Sequence, residues 1–204
     1  MSFIKSSTTF TRFRIADTVP AELWAHIGDK LRQYSFKDID DLPEERSRGW
    51  VNFDDMLDSS WNVSPPEKGG YITFSLRLDT RRVAPAVLRK HFTIALREEE
   101  RRMHEQGKKY VSRERKKELK EQVLLRLMQR SLPIPAEFAT VWNIADNFVY
   151  FASTQSKVLD LFQTHFTLTF DLHLEPMTPY GLAVTLLGEE GMNGIERLEA
   201  SSFA

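Results

Sequence analysis

The chain has 204 residues, 41% of them hydrophobic and 11% aromatic, and its 28 Lys/Arg almost balance its 29 Asp/Glu for a formal charge of −1. It contains no cysteine, which excludes disulfides, a thiolate zinc site and a cysteine nucleophile. Met1 to Arg14 lacks the apolar stretch of a signal peptide, and no run reaches the roughly 20 apolar residues of a membrane span, so a cytoplasmic protein with no membrane partner is expected.

Thr8 to Ile15, with Phe10, Phe13 and Ile15, reads as a strand. Pro20 to Tyr34 reads as a helix with Leu23, Ile27 and Leu31 on one face. Residues 37–61 are turn-rich and acidic. After the breaks at Pro65–Pro66 and Gly69–Gly70, Tyr71 to Asp79 alternates through Ile72, Phe74, Leu76 and Leu78, as a half-buried strand does. A basic, helical stretch follows over about 86–131. Phe138 to Ala152 reads as a hairpin turning near Asp146–Asn147, and Thr154 to His165 as a helix burying Val158, Leu159, Leu161 and Phe162. Phe166 to Leu174 alternates again, as a strand, and the tail over about 191–204 is read as irregular. Helices and strands mix without a strict βαβ rhythm. The expected class is therefore α+β: a mixed or antiparallel sheet with packed helices and a projecting basic helical arm, in a single domain over 1–204.

The charge is unevenly spread. Arg89 to Arg130 holds 14 of the 28 Lys/Arg and 7 of the 29 Asp/Glu, so a basic arm is set in an acidic body. That asymmetry points to a polyanionic partner, nucleic acid first. Within the arm, Leu88, Phe92, Ala95 and Leu96 give a first helix an apolar stripe, and Gly107 interrupts it. Glu98 with Arg102 and Glu105 with Lys109 stand at i,i+4. Ser112 reads as the N-cap of a second helix, with Glu114 in its first turn. There Arg113, Lys116, Lys117 and Lys120 share one stripe, while Glu114, Glu118 and Glu121 share another. The like-charge pairs Arg113–Lys117 and Lys116–Lys120 each cost about 0.2–0.5 kcal/mol in an isolated helix. A phosphate-binding surface and an ordinary solvated face both fit this pattern. Val123, Leu124, Leu125, Leu127 and Met128 read as core or interface.

Particular residues resemble a known family. Gly49–Trp50–Val51, then Gly70 to Arg77, then Arg82–Val83–Ala84–Pro85 follow the order of short motifs in the bacterial RdgC family of recombination-associated proteins. Glu105 to Ser112 running into Lys116 to Leu124 resembles that family's basic helix pair. Trp142–Asn143–Ile144 and Ala152 to Lys157 resemble its hairpin and following helix. The resemblance implies a protein that binds double-stranded DNA without strong sequence preference. It also implies a homodimer that closes into a ring on the duplex, a functional link to RecA-driven strand exchange, and a nucleoid location. Carried over, Arg82, Lys108 and Lys109 match cationic positions of the family, and Arg113, Lys116, Lys117 and Lys120 continue that surface. Leu124, Leu125, Met128, Arg130 and Leu132 are the expected dimer interface. The family's Leu-Pro-Arg-Ala-Phe stretch is replaced here by Leu127 to Leu132, and the chain is shorter than a typical member by roughly the C-terminal third, so an open dimer is expected.

The family also carries an exonuclease label. Metal-assisted cleavage needs converging carboxylates, and Asp38, Asp40, Asp41, Asp54, Asp55 and Asp58 could supply them. Their spacing matches no ligand motif, and the five histidines are scattered. No P-loop, Rossmann glycine pattern or GxSxG occurs. No catalytic residue, metal ligand or cofactor is assigned; Mg²⁺ would be needed only by a nuclease. Trp50, Trp61 and Trp142 are read as core rather than base-stacking residues. The alternatives that stay open are a metal-dependent exonuclease and a module whose basic helix binds an acidic protein.

Overall fold

The computed structural model describes residues 9–62, 64–107 and 110–197. In chain order its elements are β1 (Thr11–Ile15), α1 (Leu23–Gln33), β2 (Arg46–Val51), β3 (Glu67–Lys68), β4 (Tyr71–Thr80), α2 (Pro85–Glu105), α3 (Arg113–Arg130), β5 (Ile134–Asn143), β6 (Phe148–Phe151), α4 (Ser156–Phe170), β7 (Leu174–Pro176) and α5 (Pro179–Glu196). The strands form one seven-stranded sheet in the order β2-β4-β5-β6-β1-β7, with β3 also paired to β4. β1 runs antiparallel to both β6 and β7, and β5 antiparallel to β6. The class is α+β.

The chain divides into two compact units. The first takes its residues from Met1–Tyr34, Trp50–Leu76 and Phe138–Ala204, and the second from Ser35–Gly49 and Arg77–Glu137. In the first unit the inward residues of β1, β4, β5 and β6 meet the apolar faces of α1 and α4. Leu23, Ile27 and Leu31 of α1 are buried, as their spacing predicts. Trp50 and Trp142 are both 0% exposed. The Trp50 indole N–H donates to Thr169 Oγ1 at 2.7 Å, and its ring centroid lies 4.6 Å from that of His165. Phe151 stacks on Phe162 at 3.9 Å. Each such fully buried side chain contributes about 1.5–3 kcal/mol, so this aromatic cluster holds the helices to the sheet.

Four expectations are corrected here. Phe166 to Phe170 is the end of α4, and only Leu174–Pro176 is strand. Phe166, Leu168 and Phe170 do alternate, but Phe162, Phe166 and Phe170 also recur every four residues. The buried Phe side chains follow the helical spacing, while Leu168 is 56% exposed. Residues 46–51, read as turn, form β2, whose polar outer half gives no strand signal. β4 is buried on both faces over Ile72–Arg77 rather than on one; Thr73 is covered by the 66-region, donating its hydroxyl to Pro66 O at 3.2 Å. At the C-terminal end, α5 continues through Glu196 across a break at Gly188. The irregular tail is thus replaced by helix over 191–196, and 198–204 lie outside the described residues.

The second unit is organised by buried polar groups. Arg81 is 5% exposed. Its Nη1 donates to Met128 O and Ser131 O at 3.3 and 2.6 Å, and its Nη2 to Ile39 O, Asp40 O and Leu42 O at 2.5, 2.8 and 2.8 Å. One guanidinium therefore holds the end of β4, the end of α3 and the 39–42 loop together. Arg77 makes a two-point pair with Asp79 at 2.9 and 2.7 Å and lies over the Phe36 ring at 4.1 Å. Gly49 explains its place beside Trp50 by sterics. A Cβ there would sit 2.3 Å from the Phe36 backbone nitrogen, a distance only glycine allows.

Replacing Arg81 by Ala strands several buried carbonyls, each costing about 1–3 kcal/mol. Urea unfolding of Arg81→Ala is expected to show a loss of about 3 kcal/mol or more, and Arg81→Lys to recover only part of it, since an ammonium cannot reach both carbonyl groups of the cage.

Candidate nucleic-acid interface

The basic stretch is a helix hairpin within the second unit. Pro85 opens α2 at a position where its missing N–H costs nothing. Leu88, Phe92, Ala95, Leu96 and Met103 are all half-buried and recur at helical spacing. Gly107, with φ +75, ends α2 by adopting the left-handed conformation and donating its N–H to His104 O at 3.0 Å. Ser112 then caps α3, its Oγ accepting the Arg115 N–H at 3.2 Å, as its sequence position predicts. From α3, Leu119 and Val123 are buried in the seam against α2.

The seam also contains an acid. Glu99 falls on the same stripe as Leu96 and Met103 and is buried. Its Oε1 accepts from Arg115 Nε at 2.8 Å, while Arg115 Nη1 donates to Glu118 Oε2 at 3.1 Å and Arg102 Nη1 lies 3.9 Å from Glu99. The hydrogen bond from Arg115 holds the Glu99 carboxyl below its usual range, and the same bond, with the one Arg115 donates to Glu118, raises Arg115. Sequence reasoning missed this pair. The signal was an acidic residue in register with an apolar stripe.

This pairing sorts the arm's cations. Arg115 is taken up in the seam. Arg113, Lys116, Lys117 and Lys120 are all exposed, and at 3.6 residues per turn they fall on one contiguous stripe of α3 beside the buried one. Among the described residues none of these four has an ion-pair partner. Arg82, next to the buried Arg81, is exposed as well. Lys108 and Lys109 lie outside the described residues. A second stripe went unread in the sequence: Lys90, Arg97 and Arg101 recur at i, i+7 and i+11 on α2, all exposed and unpaired among the described residues. A helical wheel of α2 shows it. Of the expected interface residues, Leu125 and Leu132 are 59% and 74% exposed, Leu124 and Met128 half-buried, and Arg130 exposed.

The acidic loop is occupied with its own architecture. Asp54 pairs with Lys68 and accepts from Ser64 Oγ at 2.6 Å, and the Lys68 bond, then the Ser64 bond, hold its carboxyl below the usual range. Asp58 is buried, accepting from the Ser60 backbone N–H and from Asn52 Nδ2, both at 3.0 Å. Among the described residues no group of three or more His, Asp or Glu is placed to hold a metal ion. Trp50, Trp61 and Trp142 are buried, as expected. No helix among the described residues is long and apolar enough to cross a membrane.

An α+β protein with a capped, cation-striped helix hairpin is the class these features define. The chain belongs to the RdgC family: the family model described as "Putative exonuclease, RdgC" matches residues 8–182. No curated protein matches the chain.

A depressed carboxyl stabilises the folded hairpin above the ordinary glutamate range, and that contribution is lost as pH falls through the lowered value. Melting followed by circular dichroism is expected to show Glu99→Gln less stable than the parent at pH 7, with the difference shrinking below about pH 4 as the parent's own Glu99 protonates.

Proposed function

We propose that this protein binds double-stranded DNA without reading its sequence and modulates recombination by occupying the duplex. Family membership fits a recombination-related role. The observation that carries the DNA reading is the exposed stripe of Arg113, Lys116, Lys117 and Lys120, separated from Arg115, which the seam has neutralised. Stripes of this kind meet phosphates. Each contact releases a condensed counterion, which supplies affinity independent of base sequence. Lys and Arg on a helix flank position a duplex but do not by themselves present the paired donor and acceptor that a base edge requires. Arg82 and the Lys90, Arg97 and Arg101 stripe extend the same chemistry.

A single helix hairpin presents its cations to one side of a duplex. Leu125 and Leu132, both exposed large aliphatic residues, support a homodimer formed partly through residues 119–132, whose two-fold would bring a second stripe to the DNA. A nucleoid location follows from this reading. The exonuclease reading rests on the family's description; incubation of end-labelled DNA with the protein and Mg²⁺ tests it directly. A partner that is an acidic protein would be revealed by binding that survives a salt series in which DNA is released.

With about four to six phosphates neutralised, log K is expected to fall against log salt with a slope near −4 to −5. Lys116→Ala and Lys120→Ala are each expected to reduce that slope by about one while leaving the melting temperature unchanged or slightly raised, since alanine is the better helix former. A flat salt response, or strong preference for one sequence, removes the assignment.

Sedimentation at micromolar concentration is expected to show a dimer for the parent and a shift toward monomer for Leu125→Glu. A parent that sediments as a monomer refutes the assembly.

A further inference from the structure

The face of the sheet that points away from the core in the first unit carries an arrangement that the helix hairpin does not explain. Along β1, Arg12 and Arg14 alternate with the buried Phe13 and Ile15, and Phe10 precedes them on the same side. Along β6, Phe148 and Tyr150 alternate with the buried Val149 and Phe151. The register sets Arg12 opposite Tyr150 and Arg14 opposite Phe148. On the other side of β6, Val141 stands opposite Tyr150 and Asn143 opposite Phe148. Phe10 meets the Tyr150 ring edge-on at 5.8 Å, and the Arg12 guanidinium lies 5.6 Å from the centre of the Phe148 ring. Phe10 is 49% exposed; Arg12, Phe148 and Tyr150 are half-buried.

Aromatic rings and guanidinium groups thus interleave across two central strands of the sheet, on a face where same-strand neighbours stand about 6.6 Å apart. Cross-strand aromatic contacts steady a sheet, but that role needs no arginines. The residues of this face are aromatic and cationic rather than the aliphatic ones a helix packs on, and α5 reaches it beside Arg14, where Gly181 and Leu182 line the same cleft. A row of rings beside a row of cations matches one ligand chemistry well: an unpaired nucleotide, whose base stacks on the ring and whose phosphate meets the guanidinium. Duplex DNA cannot use such a face, because its bases are already stacked on each other. Arg14 is paired to Glu175 at 2.8 Å, with side chains 44% and 55% exposed. An ion pair so open to water contributes little, so a phosphate can compete for Arg14. Arg12 has no carboxylate partner among the described residues.

We infer that the outward face of β1 and β6 is a stacking platform for single-stranded DNA, with Phe10, Phe148 and Tyr150 receiving bases and Arg12 and Arg14 receiving phosphates. It rests on the reading of the protein as one that acts on DNA, but on none of the α3 residues. It adds to the duplex surface a second one of different selectivity, suited to a strand that has left its partner.

The full-length chain is titrated with a labelled oligo-dT of about 15 nucleotides, within the range one such surface spans, and with a duplex of equal length. Tyr150→Ala is expected to weaken oligo-dT binding about fivefold or more and to leave duplex affinity unchanged, whereas Tyr150→Phe keeps the ring and the affinity. Arg12→Ala is expected to weaken oligo-dT binding and to reduce its salt slope by about 0.7, the value for one single-strand phosphate. Oligo-dT affinity unchanged in both alanine variants, or lost in parallel with duplex affinity, overturns the inference. So does tighter binding of oligo-rU than of oligo-dT.

A measurement on the unsubstituted protein guards against a folding effect. Ultraviolet cross-linking of an oligonucleotide containing bromodeoxyuridine is expected to attach to peptides holding Phe10 or Phe148–Tyr150. Attachment confined to α3, or none, overturns the platform. If instead Lys116→Ala and Lys120→Ala leave duplex binding intact while the sheet peptides still cross-link, the duplex reading of α3 falls and the platform stands.

Discussion

A guanidinium buried without a carboxylate is the constraint on which the second unit depends. Taking a charge out of water is costly unless its hydrogen bonds are met, and the two terminal nitrogens of Arg81 meet theirs only when two separate backbone segments converge on it. The C-terminal carbonyls of α3 are natural acceptors, because the helix dipole concentrates negative charge there. The 39–42 loop supplies the rest. The end of β4, the loop and the helix thereby fix one another. The base of the helix hairpin is set by electrostatics where the first unit relies on packed aromatic rings.

Along the hairpin the same logic recurs at smaller scale. Glu99 is buried in the seam and must be compensated, and Arg115 compensates it. That bond draws one cation inward and fixes the rotation of α3 about its axis, together with Leu119 and Val123. The stripe of Arg113, Lys116, Lys117 and Lys120 faces solvent as a consequence of what lies behind it. The like-charge repulsion within the stripe is small beside the burial that orients the helix.

The first unit shows the opposite economy. Its inner sheet face is almost wholly apolar and aromatic; the Trp50 indole N–H pairs with Thr169, while that of Trp142 is buried with no hydrogen-bond partner among the described residues. The outer face of β1 and β6 differs in kind, setting the arginines of β1 opposite the rings of β6. Since neighbouring strand residues point to opposite sides, one short segment such as Thr11–Ile15 serves the core with Phe13 and Ile15 and the solvent with Arg12 and Arg14.

What the sequence by itself determined was whatever depends on neighbours close in the chain. The helical spacing of α1, the Ser112 cap, the Gly107 break, the turn near Asp146–Asn147 and the clustering of cations between Arg89 and Arg130 are local, and each was legible. The resemblance to the RdgC family was legible too, in the order of short motifs. Tertiary structure alone decided what depends on distant partners. Whether Phe166, Leu168 and Phe170 continue a helix or form a strand turns on which spacing meets the core. β2 exists because β4 is there to pair with it, and both faces of β4 are covered only once the chain has folded over them. Arg81, Arg82 and Arg115 are indistinguishable as letters. Only folding buries the first among carbonyls, leaves the second in water and ties the third to Glu99, because desolvation is a property of the surroundings and not of the residue.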